Sequence, residues 1–330
     1  MSKWALLLPI LLLITTQGAL TGVFGAPSVV ATIVATRAMS SRRAILLSTL
    51  AQLIGPFLFG VAVATSLDSD VVNPAVITPH ILYGALAATV VWMLLAWYFR
   101  IPSSSTHALI GGLVGAVLAG LGPAAIHSDG LIKILIGLIL TAPLGILGGF
   151  VVARLCHTLI HHNPHANQRF NQGQFILAMF LGLVVGSNNA QKAMGVTVLG
   201  LMATGFLPRF EIPTWVIIVS ALCLAAGNLV GGTRLLHSVG TQFCEVQPLH
   251  GFSAEMSSML IILASSLVGG NVSTTQITSM SILGAGASQS TKAVQWRFVR
   301  NVFLTWVLTI PITAALACLI CLALTHLGVP

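Results

Sequence analysis

Charged residues are scarce in this sequence. Its 330 residues include only 14 Lys and Arg and 6 Asp and Glu, so 6% are charged. A soluble domain carries about 25% charged residues, which it needs to cover a surface exposed to water. A water-soluble enzyme is therefore excluded. A disordered chain is excluded as well, because the apolar residues form long blocks.

Cysteines are also few, and their number is odd. The five are Cys156, Cys223, Cys244, Cys318 and Cys321. They imply no disulfide framework. Cys318 and Cys321 form a C-x-x-C pair inside an apolar block, where cysteine behaves as a small hydrophobic residue. Packing is therefore favoured over a redox role.

Long apolar runs dominate the composition, with 56% hydrophobic residues and a mean hydropathy of +0.98. About 20 apolar residues in a helix cross a hydrocarbon core of about 30 Å. The blocks run approximately over 4–36, 44–66, 80–99, 102–121, 131–153, 173–204, 213–233, 252–269, 271–288 and 301–326. They predict an all-α integral membrane protein with about ten membrane segments. The first block resembles a signal peptide, with Lys3 before an apolar core, but we interpret it as an uncleaved first span.

The net charge of +8 reflects membrane topology. The basic residues form no stripe with interleaved aromatics, which argues against nucleic-acid binding. With the N-terminus outside, most of them fall in cytoplasmic loops, as the positive-inside rule requires. These are Arg37, Arg42, Arg43, Arg100, Arg154, Arg169, Arg234, Lys292, Arg297 and Arg300. The outer loops then take Asp68, Asp70, Asp129 and Glu211.

A polar interval at 157–172 divides the chain into a first repeat at 1–156 and a second at 173–330. Its histidines are His157, His161, His162 and His165. Imidazoles at this spacing can converge on a metal ion. A solvated cytoplasmic linker is favoured, because Cys156 is the only other ligand type beside them.

The two parts contain related motifs. IPSSSTHALIGGLVGAVLAG at 101–120 is similar to GNVSTTQITSMSILGAGAS at 270–288, and GAPSVVATIVAT at 25–36 is more weakly similar to GSNNAQKAMGVT at 186–197. Five spans precede the interval, so the second part enters the membrane with opposite polarity. Matched parts of opposite polarity indicate an inverted-repeat secondary transporter, whose substrate site lies near the midplane at the repeat interface.

The Ser/Thr-rich segments at 102–107 and 271–276 are interpreted as breaks or hairpins that each open a helix. A helix N-terminus exposes unpaired N–H groups and a partial positive charge, so it attracts anions. The small hydroxyl side chains add donors that suit a tetrahedral oxyanion. The alternative is that they only cap or pack helices. Because the motif occurs in both parts, we predict substrate binding by Ser104, Ser105, Thr106, Ser273, Thr274 and Thr275.

Lys192 and Glu255 are ionisable residues within predicted spans, which makes both functional candidates. We expect Lys192 to neutralise an anion or to pair with Glu255; the alternative is that it snorkels to an interface. Glu255 is expected to carry a proton or to act as a structural partner. The segments 25–28 and 186–192 also interrupt apolar runs, and Asn188 and Asn189 are predicted to complete the pocket.

These motifs resemble the PiT family of inorganic phosphate transporters over nearly the whole chain. The resemblance rests on PSSSTHALIGG, GSNNAQKAMG, GGTRLLHSVG, GFSAE, VSTTQITSMSILGAG and WRFVRNVFLTWVLTIP, in the family's order. It implies a transporter, typically dimeric, that imports phosphate with a coupling cation through a site built from both repeats. It also implies anion binding at the Ser/Thr-rich breaks and cation binding around two G-x-N-D motifs.

The sequence departs from that family where the coupling cation would bind. The first G-x-N-D motif ends in Pro27 and Ser28, the second ends in Asn189, and Gln52 and Gln276 replace a usual Glu and His. Loss of both aspartates removes negative charge from a site of low dielectric constant. The loss of these aspartates makes coupling to Na⁺ a weaker prediction. Coupling to protons through His107 or Glu255 becomes an alternative.

We therefore expect a symporter that imports inorganic phosphate across the plasma membrane, the inner membrane of a prokaryote. It is expected to be no enzyme, to have no cofactor beyond Na⁺ or H⁺ as coupling ion, and to form a homodimer. Ser28, Asn189, His107 and Glu255 are the candidate coupling-ion residues. A proton-coupled sulfate permease of the same family and a transport-inactive homologue are the alternatives.

Overall fold

The computed structural model describes residues 2–65, 76–160, 166–240 and 243–327. These residues form α-helices joined by loops and short 3-10 turns, and they contain no β-strand. The helices are α1 (Lys3–Ala35), α2 (Ser41–Ile54), α3 (Pro79–Tyr98), α4 (Ser105–Gly120), α5 (Ser128–Ile160), α6 (Ala166–Ala203), α7 (Thr214–Gly231), α8 (Thr233–Gly240), α9 (Pro248–Leu267), α10 (Thr274–Gln289) and α11 (Trp296–His326). The predicted all-α architecture is confirmed.

Six of the described helices, α1, α3, α5, α6, α7 and α11, are long and apolar enough to cross a membrane. Large apolar side chains point outward from them, among them Leu12 of α1, Ile139 of α5 and Leu319 of α11. Exposed apolar side chains in such numbers suit a surface that faces lipid tails. The polar side chains of the candidate site lie inside the bundle.

Two segments that interrupt apolar runs do not interrupt helices. α1 continues through Gly25–Ser28, and α6 continues through residues 186–192. Pro27 lies inside α1, where it removes one backbone hydrogen bond. Polar or proline-containing sequence in these spans therefore marks side chains turned into the protein core rather than a chain break.

The Ser/Thr-rich segments do begin new helices, and each belongs to a helical hairpin. α4 and α10 have 16 residues each, so each is about 24 Å long and shorter than a hydrocarbon core. α4 ends at Gly120, where an added methyl group would lie 3.2 Å from His80 Nε2 at the start of α3. Gln289 at the end of α10 lines a cavity together with Leu249 and His250 at the start of α9. Each short helix therefore ends on the same side of the molecule on which the preceding helix of its hairpin begins.

The two hairpins enter from opposite ends. α10 runs along α5 in the same direction, because Gly145 of α5 adjoins Ile277 and Gly149 adjoins Ser281. α5 begins shortly after α4 ends, so α4 ends beside the start of α5 whereas α10 ends beside its C-terminal part. The N-termini of α4 and α10 therefore meet in the middle, and the two helices point away from each other.

Each short helix packs against the last helix of the other part of the chain, α4 against α11 and α10 against α5. The contacts match: an added methyl group on Gly115 would overlap the carbonyl oxygen of Ala314, and one on Gly284 would overlap that of Ile146. This correspondence supports the division into repeats at 1–156 and 173–330, which stays a proposal.

The described parts of the polar interval are helical, since α5 extends to Ile160 and α6 begins at Ala166. His157 lies on an exposed face near the end of α5. His161, His162 and His165 lie outside the described residues.

Candidate functional site

The N-cap residues of the two short helices α4 and α10, called the half-helices below, are in contact. Ser104 precedes α4 and its hydroxyl accepts a hydrogen bond from the His107 backbone N–H at 3.2 Å. Ser273 precedes α10 and accepts from the Gln276 N–H at 3.3 Å. Ser273 Oγ then donates to Ser104 Oγ at 2.8 Å, and both residues are only 1% exposed. The predicted meeting of the two motifs is therefore present in the fold.

This geometry creates a buried region of positive potential. The N-terminal ends of α4 and α10 both face the Ser104–Ser273 contact, and each end carries about half a positive charge together with unpaired N–H groups. Thr106 and Thr275 in the two first turns are buried, and Ser105 is half-buried. An anion is the ligand that such an arrangement attracts.

Lys192 of α6 places its side-chain amine beside the two helix starts. Its Nζ donates to Thr106 Oγ1 at 2.8 Å and to the Val272 carbonyl oxygen at 2.7 Å. The residue is 2% exposed, so the ammonium does not snorkel to the surface. The expected alternative of a pair with Glu255 is wrong, because the Glu255 carboxylate is hydrogen-bonded to Thr32 instead.

The two asparagines of α6 point to different neighbours. Asn189 Oδ1 accepts from Thr274 Oγ1 at 3.4 Å, which joins it to the start of α10. Asn188 Nδ2 donates to Ser266 Oγ at 2.9 Å, near the end of α9. Asn189 therefore lies with the hydroxyl groups at the start of α10. Asn188 instead connects α6 to α9, the helix that precedes α10 in its hairpin.

Glu255 lies in a second polar cluster nearby. Thr32 Oγ1 donates to its Oε1 at 2.5 Å, and its Oε2 has no hydrogen-bond partner among the residues that the structure describes. Ser28, Thr32, Ser258 and Thr278 share with it the lining of a cavity of about 10 Å³. That volume matches one water molecule. The cluster offers one carboxylate and four hydroxyl groups to a small ion.

His107 lies apart from both clusters. Its side chain lines a largely apolar cavity of about 260 Å³ between α5 and α11, together with Gln276, which occupies the same place in the second motif. The Nδ1 of His107 and the Oε1 of Gln276 are buried and have no hydrogen-bond partner in the described parts of the chain. Only the backbone N–H of each residue contributes to the Ser104–Ser273 arrangement.

Four groups of the site were not predicted from the sequence. They are the Val272 carbonyl and the side chains of Thr32, Ser258 and Thr278. The three side chains carried a usable signal: Thr32 follows Ser28 by one helical turn, Thr278 follows Thr274, and Ser258 follows Glu255. Residues three or four positions apart lie on the same helix face. The carbonyl carried none, because any residue type supplies one.

Comparison with known proteins gives a consistent result. A model of the phosphate transporter family matches residues 21–317. A probable low-affinity inorganic phosphate transporter of Rhizobium meliloti (strain 1021) is 34% identical over 303 residues, which cover 91% of each chain. A protein of the same description from Bacillus subtilis (strain 168) is 35% identical over 292 residues, 87% of each chain.

The fold also has a counterpart among solved structures. A structure described as the sodium-dependent phosphate transporter superposes with a TM-score of 0.90 at 19% identity, and the match covers 98% of this chain and 99% of that one. The relatives are transporters rather than enzymes, and the apolar helices make this chain a multi-pass membrane protein. The chain belongs to the phosphate transporter family, as its motifs predicted.

Proposed function

We propose that this protein is a secondary active transporter that imports inorganic phosphate across the plasma membrane by symport with a cation. The observation that carries the proposal is the contact between Ser104 and Ser273, which brings two helix N-termini together in the core. Dipoles and N–H groups from two directions suit a tetrahedral oxyanion with several acceptor oxygens. The similarity to relatives described as inorganic phosphate transporters favours phosphate as that oxyanion.

The hydroxyl groups of the two first turns would bind the anion. Ser104, Ser105 and Thr106 supply them from α4, and Ser273, Thr274 and Thr275 supply them from α10. Lys192 adds charge, and Asn189 is within reach through Thr274. Asn188 would support this pocket from behind, because its amide is bonded to Ser266.

The Glu255 cluster would bind the coupling ion, a proton or Na⁺. One oxygen of its carboxylate has no hydrogen-bond partner within the described ranges, and Ser28 and Thr32 place hydroxyl groups beside it. Thr278 belongs to this cluster and donates to the Thr274 carbonyl at 3.0 Å, so a single helical turn of α10 separates the coupling cluster from the anion cluster. Binding at one cluster can thereby affect the other.

Replacement of Thr274 and Thr275 by valine tests the anion site. Valine keeps the shape of threonine but removes its donor, so uptake of labelled phosphate into proteoliposomes should fall at least about tenfold, as expected for the loss of two hydrogen bonds to a charged group. Thr158→Val is the matched control, because that hydroxyl is exposed and donates to a backbone carbonyl of its own helix. Parental uptake by the folded double variant would remove the site assignment.

The substrate and the coupling ion are tested in the same vesicles. Labelled phosphate and labelled sulfate are supplied in turn, under an imposed Na⁺ gradient or an imposed pH gradient. We expect accumulation of phosphate under at least one gradient. Uptake of sulfate alone would identify a sulfate permease, and uptake of neither anion would identify a transport-inactive homologue.

A further inference from the structure

The Lys192 ammonium is held by the kind of atoms that hold alkali cations in transporters. Its two contacts are a hydroxyl, Thr106 Oγ1, and a backbone carbonyl, that of Val272. Val272 belongs to the non-helical segment immediately before α10. Carbonyl oxygens of such unwound segments coordinate Na⁺ where membrane helices are broken.

The ammonium has no carboxylate partner among the described residues. Glu255 is bonded to Thr32, and Asp129, Glu211 and Glu245 are exposed at the surface. A buried charge is unfavourable unless an opposite charge or several dipoles compensate it. Within the part of the chain that the structure describes, Lys192 receives only two neutral oxygens, and the region around it also contains the positive ends of α4 and α10.

We propose that Lys192 is a tethered cation that takes the position of a bound Na⁺ beside the anion, so that phosphate binding at this site requires no Na⁺. The inference rests on the proposed function and concerns the same anion site. Two of the three ammonium hydrogens are used by Thr106 and Val272, which leaves one for an oxygen of the anion. A mobile Na⁺ next to the ammonium would be repelled in this buried region.

The placement of Lys192 also preassembles the site. Thr106 belongs to the hairpin of α3 and α4, Val272 belongs to the hairpin of α9 and α10, and Lys192 itself belongs to α6. One side chain therefore fixes both half-helix starts in the absence of any free cation. A transporter that binds Na⁺ in this position would form the same bridge only when the ion is bound.

Equilibrium binding of labelled phosphate to the purified full-length protein tests the inference. Binding is measured with Na⁺ and with Na⁺ replaced by N-methylglucamine. We expect the wild-type Kd to differ by less than about twofold between the two, and the Kd of Lys192→Ala in Na⁺-free buffer to rise at least about tenfold. Ethylammonium or Na⁺ should then restore binding to the variant, because either can occupy the vacated position between Thr106 and Val272.

Lys3→Ala is the matched control for the loss of a lysine. Its Nζ also donates to a backbone carbonyl, that of Gly205 at 3.0 Å, but the side chain is exposed at the start of α1. We expect its Kd for phosphate to be unchanged, and we expect ethylammonium to have no effect. Rescue by an added amine would show that this position requires the ammonium group rather than the packing of the lysine side chain.

The Glu255→Gln variant separates Na⁺ at the coupling cluster from Na⁺ at the anion site. Na⁺ dependence that disappears in this variant assigns Na⁺ to Glu255 and supports the inference; dependence that persists overturns it. Folded Lys192→Ala protein that binds phosphate normally, or that no cation rescues, also overturns it. If Lys192→Ala does not fold, the Na⁺ comparison of the wild-type and Glu255→Gln proteins decides alone.

Failure of the inference is distinct from failure of the proposed function. Phosphate binding that needs Na⁺ in both the wild-type and Glu255→Gln proteins overturns the tethered cation and leaves phosphate transport intact. Na⁺-independent binding of sulfate in place of phosphate overturns the substrate and supports the role of Lys192. Absence of any oxyanion binding overturns both.

Discussion

Polar side chains of the site form hydrogen bonds between helices that are distant in sequence. Thr32 bonds Glu255, Thr274 bonds Asn189, and Asn188 bonds Ser266. A buried donor or acceptor without a partner costs about 1–3 kcal/mol, so these pairs stabilise the bundle as well as the site. The Glu255 Oε2 and the Asn188 Oδ1 have no hydrogen-bond partner in the portion of the chain that the structure covers. We propose that the coupling ion contacts the Glu255 Oε2.

The residue Glu255 yields a prediction about coupling. In Glu255→Gln the side chain keeps its size and its bond to Thr32, but it can no longer gain and lose a charge. We expect accumulation of phosphate against its gradient to be lost, while exchange of labelled for unlabelled phosphate across the vesicle continues at a similar rate. The exchange cycle keeps the coupling site in one state, whereas net import requires it to load and unload.

Glu245→Gln is the control, since Glu245 is exposed ahead of α9. It should retain both accumulation and exchange. Accumulation by Glu255→Gln at the parental level would place the coupling ion elsewhere in the protein.

At this scale the sequence predicted which residues are buried and polar, but predicted few of their partners. Ser104 and Ser273 could be brought together because the same motif occurs twice. The partner of Lys192 could not be predicted, because it depends on how α6 is rotated against the two hairpins. The carbonyl of Val272 has no side-chain signature at all.

Individual helices depend on glycine at the places where they cross. Gly284 of α10 lies against the carbonyl of Ile146 in α5, with no room for a methyl group. In Gly284→Val the two helices must separate, which we expect to reduce the free energy of unfolding by about 1–3 kcal/mol or more. The measurement is thermal unfolding of the purified protein.

Gly137→Ala is the control for this substitution. Gly137 lies in α5, and an added methyl group there meets no atom of the described residues within 4 Å. Alanine is the better helix former, so its apparent melting temperature should stay the same or rise. An equal loss of stability in both variants would contradict the close contact of α10 with α5.

Helix boundaries could be predicted from the sequence where the residue type favours the observed cap. Ser104 and Ser273 begin helices because their hydroxyls accept the orphan N–H groups of the first turn. Residues 25–28 contain proline yet lie within α1, because helices packed on every side of this span hold it in place. Local propensity indicates a break there, and tertiary packing overrides it.

At the scale of the whole molecule, each half-helix packs mainly against the other part of the chain. α4 packs on α11, and α10 packs on α5, so each short helix has its main contact in the other part. We infer that α4 with α11 and α10 with α5 move as units during alternating access. Movement of one unit against the other would then change the distance between Ser104 and Ser273, and with it the anion site.

This arrangement predicts that the ends of the two half-helices lie on opposite sides of the membrane. Ala124 follows α4 and Thr291 follows α10, and both are exposed. Because basic residues cluster near Thr291, we expect Thr291→Cys to face the cytoplasm and Ala124→Cys to face outward. A membrane-impermeant maleimide should label Ala124→Cys in intact cells, and should label Thr291→Cys only after permeabilisation.

The parent chain, with its five native cysteines, sets the background of labelling under both conditions. Labelling of both positions from the same side would contradict the opposed hairpins and the inverted repeat together. Labelling from opposite sides in the reverse sense would keep the repeat and invert the orientation of the chain. The two half-helix starts would then still meet at Ser104 and Ser273, so the proposed anion site would be unchanged.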